Sequence, residues 1–414
     1  MEVLKKEFGN LAIPTYAFFI TFVAWTAYSP LGSVFFKEFH LNFAELGLLL
    51  GLPKLMALPT RYVFGYLSDR IGARLSLILV TALSSLAVGL TGFSSSLVQL
   101  YASATLLGVA GGTFPVGIAY ISRKFKAMKG TLLGVYGGLG NFGSSVSGLI
   151  IPVLFLSLGF KLTFVALALM VASSAVLSLL LEDDELRVKG RVPAMALVFL
   201  PISLGFLVAI SFLKLSLAEL LLAEISMVLM AFAFTYYLHD KTVTYLSYLY
   251  FVSFGGFLAV GLWVPSLFSL IFGLKLVSSG LILFAYGATT IAFRPLGGAL
   301  GDVMGGMRAT KLSFLFISLS SALFSYATFL KDLELAIASV VLLGASLSLT
   351  NGAVFKAVSE TQEASKVGEA SGIIGGLAGF GGFAITALLG FIDEVYPFAS
   401  PLLLAVMCLG VIVR

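Results

Sequence analysis

Charge is scarce in this 414-residue chain: only 11% of residues are Asp, Glu, Lys or Arg, against roughly 25% in ordinary soluble domains. A single cysteine, Cys408, excludes a disulfide framework and any cysteine-based metal or cluster site. Histidine is nearly absent as well. His40 and His239 stand singly at the edges of apolar stretches, which leaves no histidine metal cluster and no catalytic His. There is no nucleophile elbow, and the longest charged loop is about ten residues, so catalytic and soluble effector domains have nowhere to sit. Basic residues exceed acidic ones by five, but they fall in short clusters with no continuous stripe, which argues against nucleic acid.

What is present is apolar: 59% of the chain is hydrophobic and the mean hydropathy is +1.07. Stretches of about 20 such residues, each long enough to cross a hydrocarbon core of about 30 Å, recur along the chain. They fall near 12–36, 43–67, 74–94, 97–122, 130–157 and 161–181, then 192–213 and 216–238, then 243–272, 276–301, 308–329, 333–358, 367–391 and 397–413. The spacing predicts an all-α integral membrane protein of 14 spans. It has a six-helix bundle over 1–181, a charged linker and inserted two-helix hairpin over 182–241, and a second six-helix bundle over 242–414. Lys5 and Lys6 precede a long first helix with no cleavage-type small-residue site, so no removable signal peptide is expected. Lys and Arg concentrate in alternate loops if both termini are cytoplasmic, the orientation the positive-inside rule selects. Because the insert contributes an even number of spans, the two halves run parallel.

The halves also share residues. Arg61-Tyr-Val-Phe-Gly65-Tyr-Leu-Ser-Asp69-Arg-Ile-Gly72 matches Arg294-Pro-Leu-Gly-Gly298-Ala-Leu-Gly-Asp302-Val-Met-Gly305 at four anchor positions. Gly134-Val-Tyr-Gly137-Gly138-Leu-Gly-Asn141-Phe-Gly143 matches Gly372-Ile-Ile-Gly375-Gly376-Leu-Ala-Gly379-Phe-Gly381. Such repeats are expected of two bundles related by an axis along the membrane normal and enclosing a central site. Arg61 and Arg294 each precede the loop Asp by eight residues, about 12 Å along a helix, so both stand near mid-depth. A permanently charged guanidinium there needs a carboxylate, a water-filled cavity or an anionic ligand, and the inner helices offer few acids. Two arginine forks facing each other across the repeat axis describe an anion site. Lys54, seven residues before Arg61, lies on nearly the same helix face about 10 Å further outward, where it would attract anions. Asn42 and Glu45 form a capping box at the outer end of that span.

Gly65-Tyr-Leu-Ser-Asp69-Arg70-Ile-Gly72-Ala-Arg74 resembles the major-facilitator signature between the second and third helices. Asp69, Arg70 and Arg74, with Asp302 of the second copy, are therefore expected to form a gate at the cytoplasmic ends of the bundles. Together with Ala24-Trp25-Thr-Ala-Tyr-Ser-Pro30-Leu31, Leu58-Pro59-Thr-Arg61 and Asn351-Gly-Ala-Val-Phe-Lys356, the pattern resembles the nitrate/nitrite porter family of the major facilitators over nearly the whole chain except the insert. The resemblance implies that Arg61 and Arg294 clamp the anion and that Phe114, Tyr250 and Phe254 line its pocket. Asn141, with neighbouring Gly137, Gly138, Gly375 and Gly376, would complete it. No cofactor or metal is implied. The expected partners are nitrate, nitrite and the lipid bilayer of the cytoplasmic membrane, with the monomer as the unit. Two departures stand out: Gly379 replaces the second Asn, and fourteen spans replace the usual twelve.

Several mechanisms fit these residues. Nitrate/nitrite exchange needs only a charged pocket that reorients when occupied. Nitrate/proton symport needs a titratable group in the path, for which Lys54 and Lys356 are the candidates. Organic-cation efflux, known for fourteen-span facilitators, would set a cation against two central arginines. Glu219 and Glu224 of the insert are expected to pack peripherally.

Overall fold

The computed structural model describes residues 2–125, 129–182, 194–213, 215–239, 241–362, 367–396 and 399–412. Backbone polar groups inside hydrocarbon must be satisfied within their own segment, and the described residues form helices with no strand. Twelve helical runs are long and apolar enough to span a membrane. One of them, Leu132–Ser178, has 47 residues, about 70 Å of helix, which is too long for one crossing. Gly159 (φ 74°, ψ 176°) divides it, and a side chain there would be strained. The last expected stretch is the shorter apolar helix Leu402–Val411. Among the described residues the fourteen expected stretches thus overlap helices, two of them sharing the run Leu132–Ser178. Residues 183–193, most of the charged linker, lie outside the described residues.

The first crossing is α1 (Glu2–Trp25), a 3-10 turn Ser29–Leu31 and α2 (Gly32–Glu38); the second is α3 (Phe43–Leu55) and α4 (Ala57–Ile71); the third is α5 (Ala73–Thr91). The fourth is α6 (Leu97–Leu107), a 3-10 segment Gly108–Gly112 and α7 (Thr113–Lys124), and α8 (Lys129–Ser178) makes the fifth and sixth. The insert is α9 (Ala194–Phe212) and α10 (Leu217–Leu238). The second half runs through α11 (Lys241–Tyr250), a π-helical turn Phe251–Gly255 and α12 (Gly256–Ile271). It continues with α13 (Leu276–Met304), α14 (Gly306–Leu330), α15 (Leu333–Thr361), α16 (Val367–Val395) and α17 (Leu402–Ile412). The capping box forms at the start of α3, where the Glu45 amide donates to Asn42 Oδ1 (2.8 Å) and the Asn42 amide to Glu45 Oε2 (3.0 Å).

The halves meet along two seams, α3 and α4 against α16, and α8 against α13. Small residues set their closeness. A Cβ on Gly148 would meet the Gly280 carbonyl and one on Gly280 the Gly148 carbonyl, so neither tolerates a side chain. At the Asn42 end further contacts join the halves: Ser29 Oγ donates to the Gly261 carbonyl (2.9 Å), and the Phe43 amide donates to Glu394 Oε2 (2.8 Å). At the opposite end, Gly134, Gly137, Gly138, Gly298 and Gly372 face open space. The halves are joined by hydrogen bonds at the Asn42 end, the closed end, while Asp69 and Asp302 at the other, open end pair within their own halves.

The insert lies outside the first seam. α9 packs on α4 and α6, and its Phe199 and Phe206 stand 6.3 and 5.6 Å from Phe380 and Phe383 of α16. α10 packs on α11 and α16 and sets Phe232 5.4 Å from Phe251.

Candidate anion site

Helical irregularity gathers where the expected site residues stand. α1 ends at Trp25, the second crossing breaks at Met56 between Lys54 and Arg61, the 3-10 segment Gly108–Gly112 precedes Phe114, and the π-helical turn holds Phe254 just after Tyr250. Local departures from the α-helix of this kind re-aim side chains and free backbone groups, and are frequent at functional sites.

Arg61 is buried. Its Cζ lies 5.1 Å from the Phe114 ring and 5.9 Å from the Trp25 ring, and Nη1 donates to the Gly375 carbonyl across the seam. Cβ atoms on Gly375 or Gly379 would stand 3.5 Å from the guanidinium, in ordinary contact, whereas one on Gly379 would meet Ala57 Cβ at 2.9 Å. The departure at Gly379 thereby has a reason: the position that carries Asn141 in the first half packs too closely on Ala57 of α4 in the second to hold a side chain. Arg61 Nε is buried with no hydrogen-bond partner among the described residues.

Arg294 is half-buried and held differently. Its Nη2 donates to the Tyr250 hydroxyl at 3.0 Å, and Cζ lies 5.9 Å from the Phe254 ring and 5.7 Å from the Phe355 ring. Tyr250 stacks on Phe254 (5.1 Å, interplanar 5°) and meets Phe355 edge-on (4.9 Å, 82°), so the guanidinium occupies an aromatic corner. Neither arginine has a carboxylate partner among the described residues.

The glycines divide. Gly375 meets Arg61 but Gly376 packs on Leu58 and Tyr62, while Gly137 and Gly138 touch nothing that a Cβ would reach. Outward of them, Ser145 packs on Gly287, so α8 and α13 diverge toward the open end, beside Asn141 and Arg294. Asn141 is buried, and its side chain makes no hydrogen bond to a described residue. The sequence did not single out Trp25 and Phe355, although both lie inside the stretches Ala24–Leu31 and Asn351–Lys356 that carry the resemblance. Phe355 adjoins Lys356 but Trp25 has no basic residue near it in the chain, and only the fold shows which face each ring uses.

The gate residues pair within their own halves. Asp69 pairs with Arg123, and Arg74 Nη2 donates to the Leu179 carbonyl (2.8 Å), while Arg70 donates to the Tyr66 hydroxyl. In the second half Lys356 Nζ lies 2.7 Å from Asp302 and 3.6 Å from Glu360. Lys356 is thus the ion-pair partner of Asp302 at the open end, reached through its flexible stem. Arg123 and Lys356 are themselves repeat equivalents, at the separation that relates Asp69 to Asp302.

Lys54 departs from its expected place. A way-station on the outer approach needs solvent access, yet Lys54 is fully buried beneath the closed end, with Nζ donating to the Trp25 carbonyl at 2.9 Å. Glu219 joins a capping box at Ser216, and Glu224 faces inward from α10 with both carboxyl oxygens lacking a hydrogen-bond partner among the described residues. No cluster of metal-ligating side chains occurs among the described residues.

Comparison with known proteins agrees with this architecture. The model of the Major Facilitator Superfamily matches residues 15–387. "Probable nitrate transporter NarT" of Staphylococcus epidermidis is 25% identical, over 95% of this chain and 91% of its own. "Nitrite extrusion protein" of Bacillus subtilis is 26% identical over 92% and 86%, and "Probable nitrate/nitrite antiporter NarK1" of Thermus thermophilus 29% over 92% and 84%. A solved POT family transporter superposes with a TM-score of 0.75 at 13% identity, covering 98% of this chain and 94% of that one, which bears on fold alone. These findings describe a transporter and not an enzyme, and the chain belongs to the Major Facilitator Superfamily.

Proposed function

We propose that this chain is a secondary transporter of nitrate and nitrite that works by alternating access, exchanging one anion for the other. The observation that carries the reading is the pair of repeat-related arginines, each set against aromatic rings and neither paired with a carboxylate among the described residues. A guanidinium fork supplies paired, planar donors, and aromatic rings suit a flat, weakly hydrated ion better than a strongly hydrated one. The names of the relatives support the same substrates. An empty pocket with two buried positive charges is costly to carry through a closed state, whereas an occupied one is partly neutralised, which favours exchange.

In this reading the open, Asp69-bearing face is cytoplasmic and the protein sits in the cytoplasmic membrane as a monomer. Residues 1–181 and 242–414 are the rocking bundles, and 182–241 form an accessory segment. A second reading, nitrate/proton symport, draws support from Lys54, a fully buried amine without a carboxylate partner among the described residues. Counterflow in proteoliposomes separates the two: exchange predicts labelled nitrate uptake driven by internal nitrite and indifferent to an imposed pH gradient. Arg61→Lys and Arg294→Lys should each abolish saturable uptake with expression intact. Wild-type affinity in either variant refutes the anion clamp.

A further inference from the structure

Lys54 is a cation that the anion site as described leaves unused, and its surroundings tie it to that site. Nζ lies 3.3 Å from the centroid of the Trp25 ring and 5.9 Å from that of Phe22, besides donating to the Trp25 carbonyl. Trp25 is fixed in turn, since its Nε1 donates to the Pro53 carbonyl at 2.6 Å. The contacts close a loop: the carbonyl at the end of α1 receives Lys54, and the carbonyl before Lys54 receives Trp25. A cation at a helix C-terminus also suits the helix dipole.

The same indole ring stands 5.9 Å from Arg61 Cζ, so the two cationic groups are at most about 9 Å apart across one aromatic plate. On the far side they share a wall. Gly375 and Gly379 of α16 face the Arg61 guanidinium, and a Cβ on Gly382, the next turn along, would stand 3.4 Å from the Lys54 stem. Both cations thus sit in the seam that must change when the halves move, and no carboxylate reaches Lys54 among the described residues.

We propose that Lys54 is a positioning residue of the anion site: it fixes the Trp25 ring against which Arg61 stands, and its charge strengthens the hold on an anion at Arg61. This rests on the reading of Arg61 as an anion-binding group. If an anion held at Arg61 stands about 9 Å from Lys54, a unit charge there at an effective dielectric of about 20 alters its binding constant by roughly ten- to twentyfold. The effect is insensitive to salt because the pair is buried.

The test uses nitrate as the probe and the full-length transporter in proteoliposomes. Lys54→Met, which keeps the stem and removes the charge, should raise the half-saturating nitrate concentration about tenfold while leaving maximal exchange within about twofold, equally at low and high ionic strength. An unchanged half-saturation, an equal loss of affinity and maximal rate, or an effect confined to low salt overturns the proposal. A second measurement stands independently of whether that variant folds. Trp25 and Trp263 are the two tryptophans of the sequence, so Trp263→Phe leaves Trp25 as the sole indole emitter. Its emission should change on nitrate titration with a midpoint matching half-saturation of transport, and emission that stays constant through saturation overturns the proposal. If the wild-type protein shows no saturable nitrate uptake at all, the anion reading fails first and this inference fails with it.

Discussion

Arg294 donates to the hydroxyl of Tyr250 at 3.0 Å, while its repeat counterpart Arg61 spends the equivalent reach on a backbone carbonyl across the seam. The two arginines are chemically matched but mechanically different. One is braced within its own half, and the other links α4 to α16. Tyr250→Phe removes the brace and keeps the aromatic corner with Phe254 and Phe355. Hydrogen bonds to charged groups contribute about 1.5–3 kcal/mol, so the half-saturating nitrate concentration should rise by about tenfold or more. Initial-rate uptake against nitrate concentration checks this, and an unchanged half-saturation would show that the brace plays no part in binding.

The equivalent pairs Asp69 with Arg123 and Asp302 with Lys356 anchor each half at its open end. Both are partly exposed, so each contributes little to stability by itself. Their loss should show in turnover. Asp302→Asn is expected to slow exchange several-fold with half-saturation unchanged, and the reciprocal swap Asp302→Lys with Lys356→Asp should recover part of the rate. A swap as slow as the single variant would mean that position, not pairing, is what counts.

Much of this architecture was legible from the pattern of residues. Hydrophobic length and the repeat around Arg61 and Arg294 require only that a helix cross hydrocarbon and that related sequences fold alike, and both constraints are strong in a membrane. What stayed hidden was angular and local. An ideal helix through Lys54 and Arg61 puts both on one face of an outer cavity, but the break at Met56 and the closed Asn42 end turn Lys54 inward onto Trp25. The reach of Lys356 to Asp302 depends on a flexible stem and on α13 meeting α15, which spacing along one helix does not encode. Gly379 looked like a lapse in the repeat and is explained only by its close approach to Ala57 across the seam.

The insert offers a separate prediction. α9 and α10 touch the transport bundles through apolar and aromatic faces, with Phe199 and Phe206 against Phe380 and Phe383. Lipid chains can replace such contacts, because a bilayer is as apolar as the removed side chains. Deleting residues 192–238 and rejoining the linker should therefore preserve saturable nitrate exchange with unchanged half-saturation. Complete loss of exchange in a deletion that still runs as a single species on size exclusion would make the insert part of the transport path.

Glu224 marks the sharpest local conflict in the insert. It sits on the inward stripe of α10 with Met227, Ala231 and Thr235, buried, and both carboxyl oxygens lack a hydrogen-bond partner among the described residues. A buried polar group left unsatisfied costs about 1–3 kcal/mol, and replacing it by an apolar group of similar size recovers that cost. Glu224→Leu is thus expected to raise the thermal unfolding temperature of the detergent-solubilised protein by several degrees while leaving nitrate exchange and its pH dependence as in the wild type. The alternative has a distinct signature. If Glu224→Leu and Glu224→Gln both leave exchange intact but remove any response of uptake to an imposed pH gradient, the carboxyl is a proton-handling group and the insert belongs to the coupling machinery.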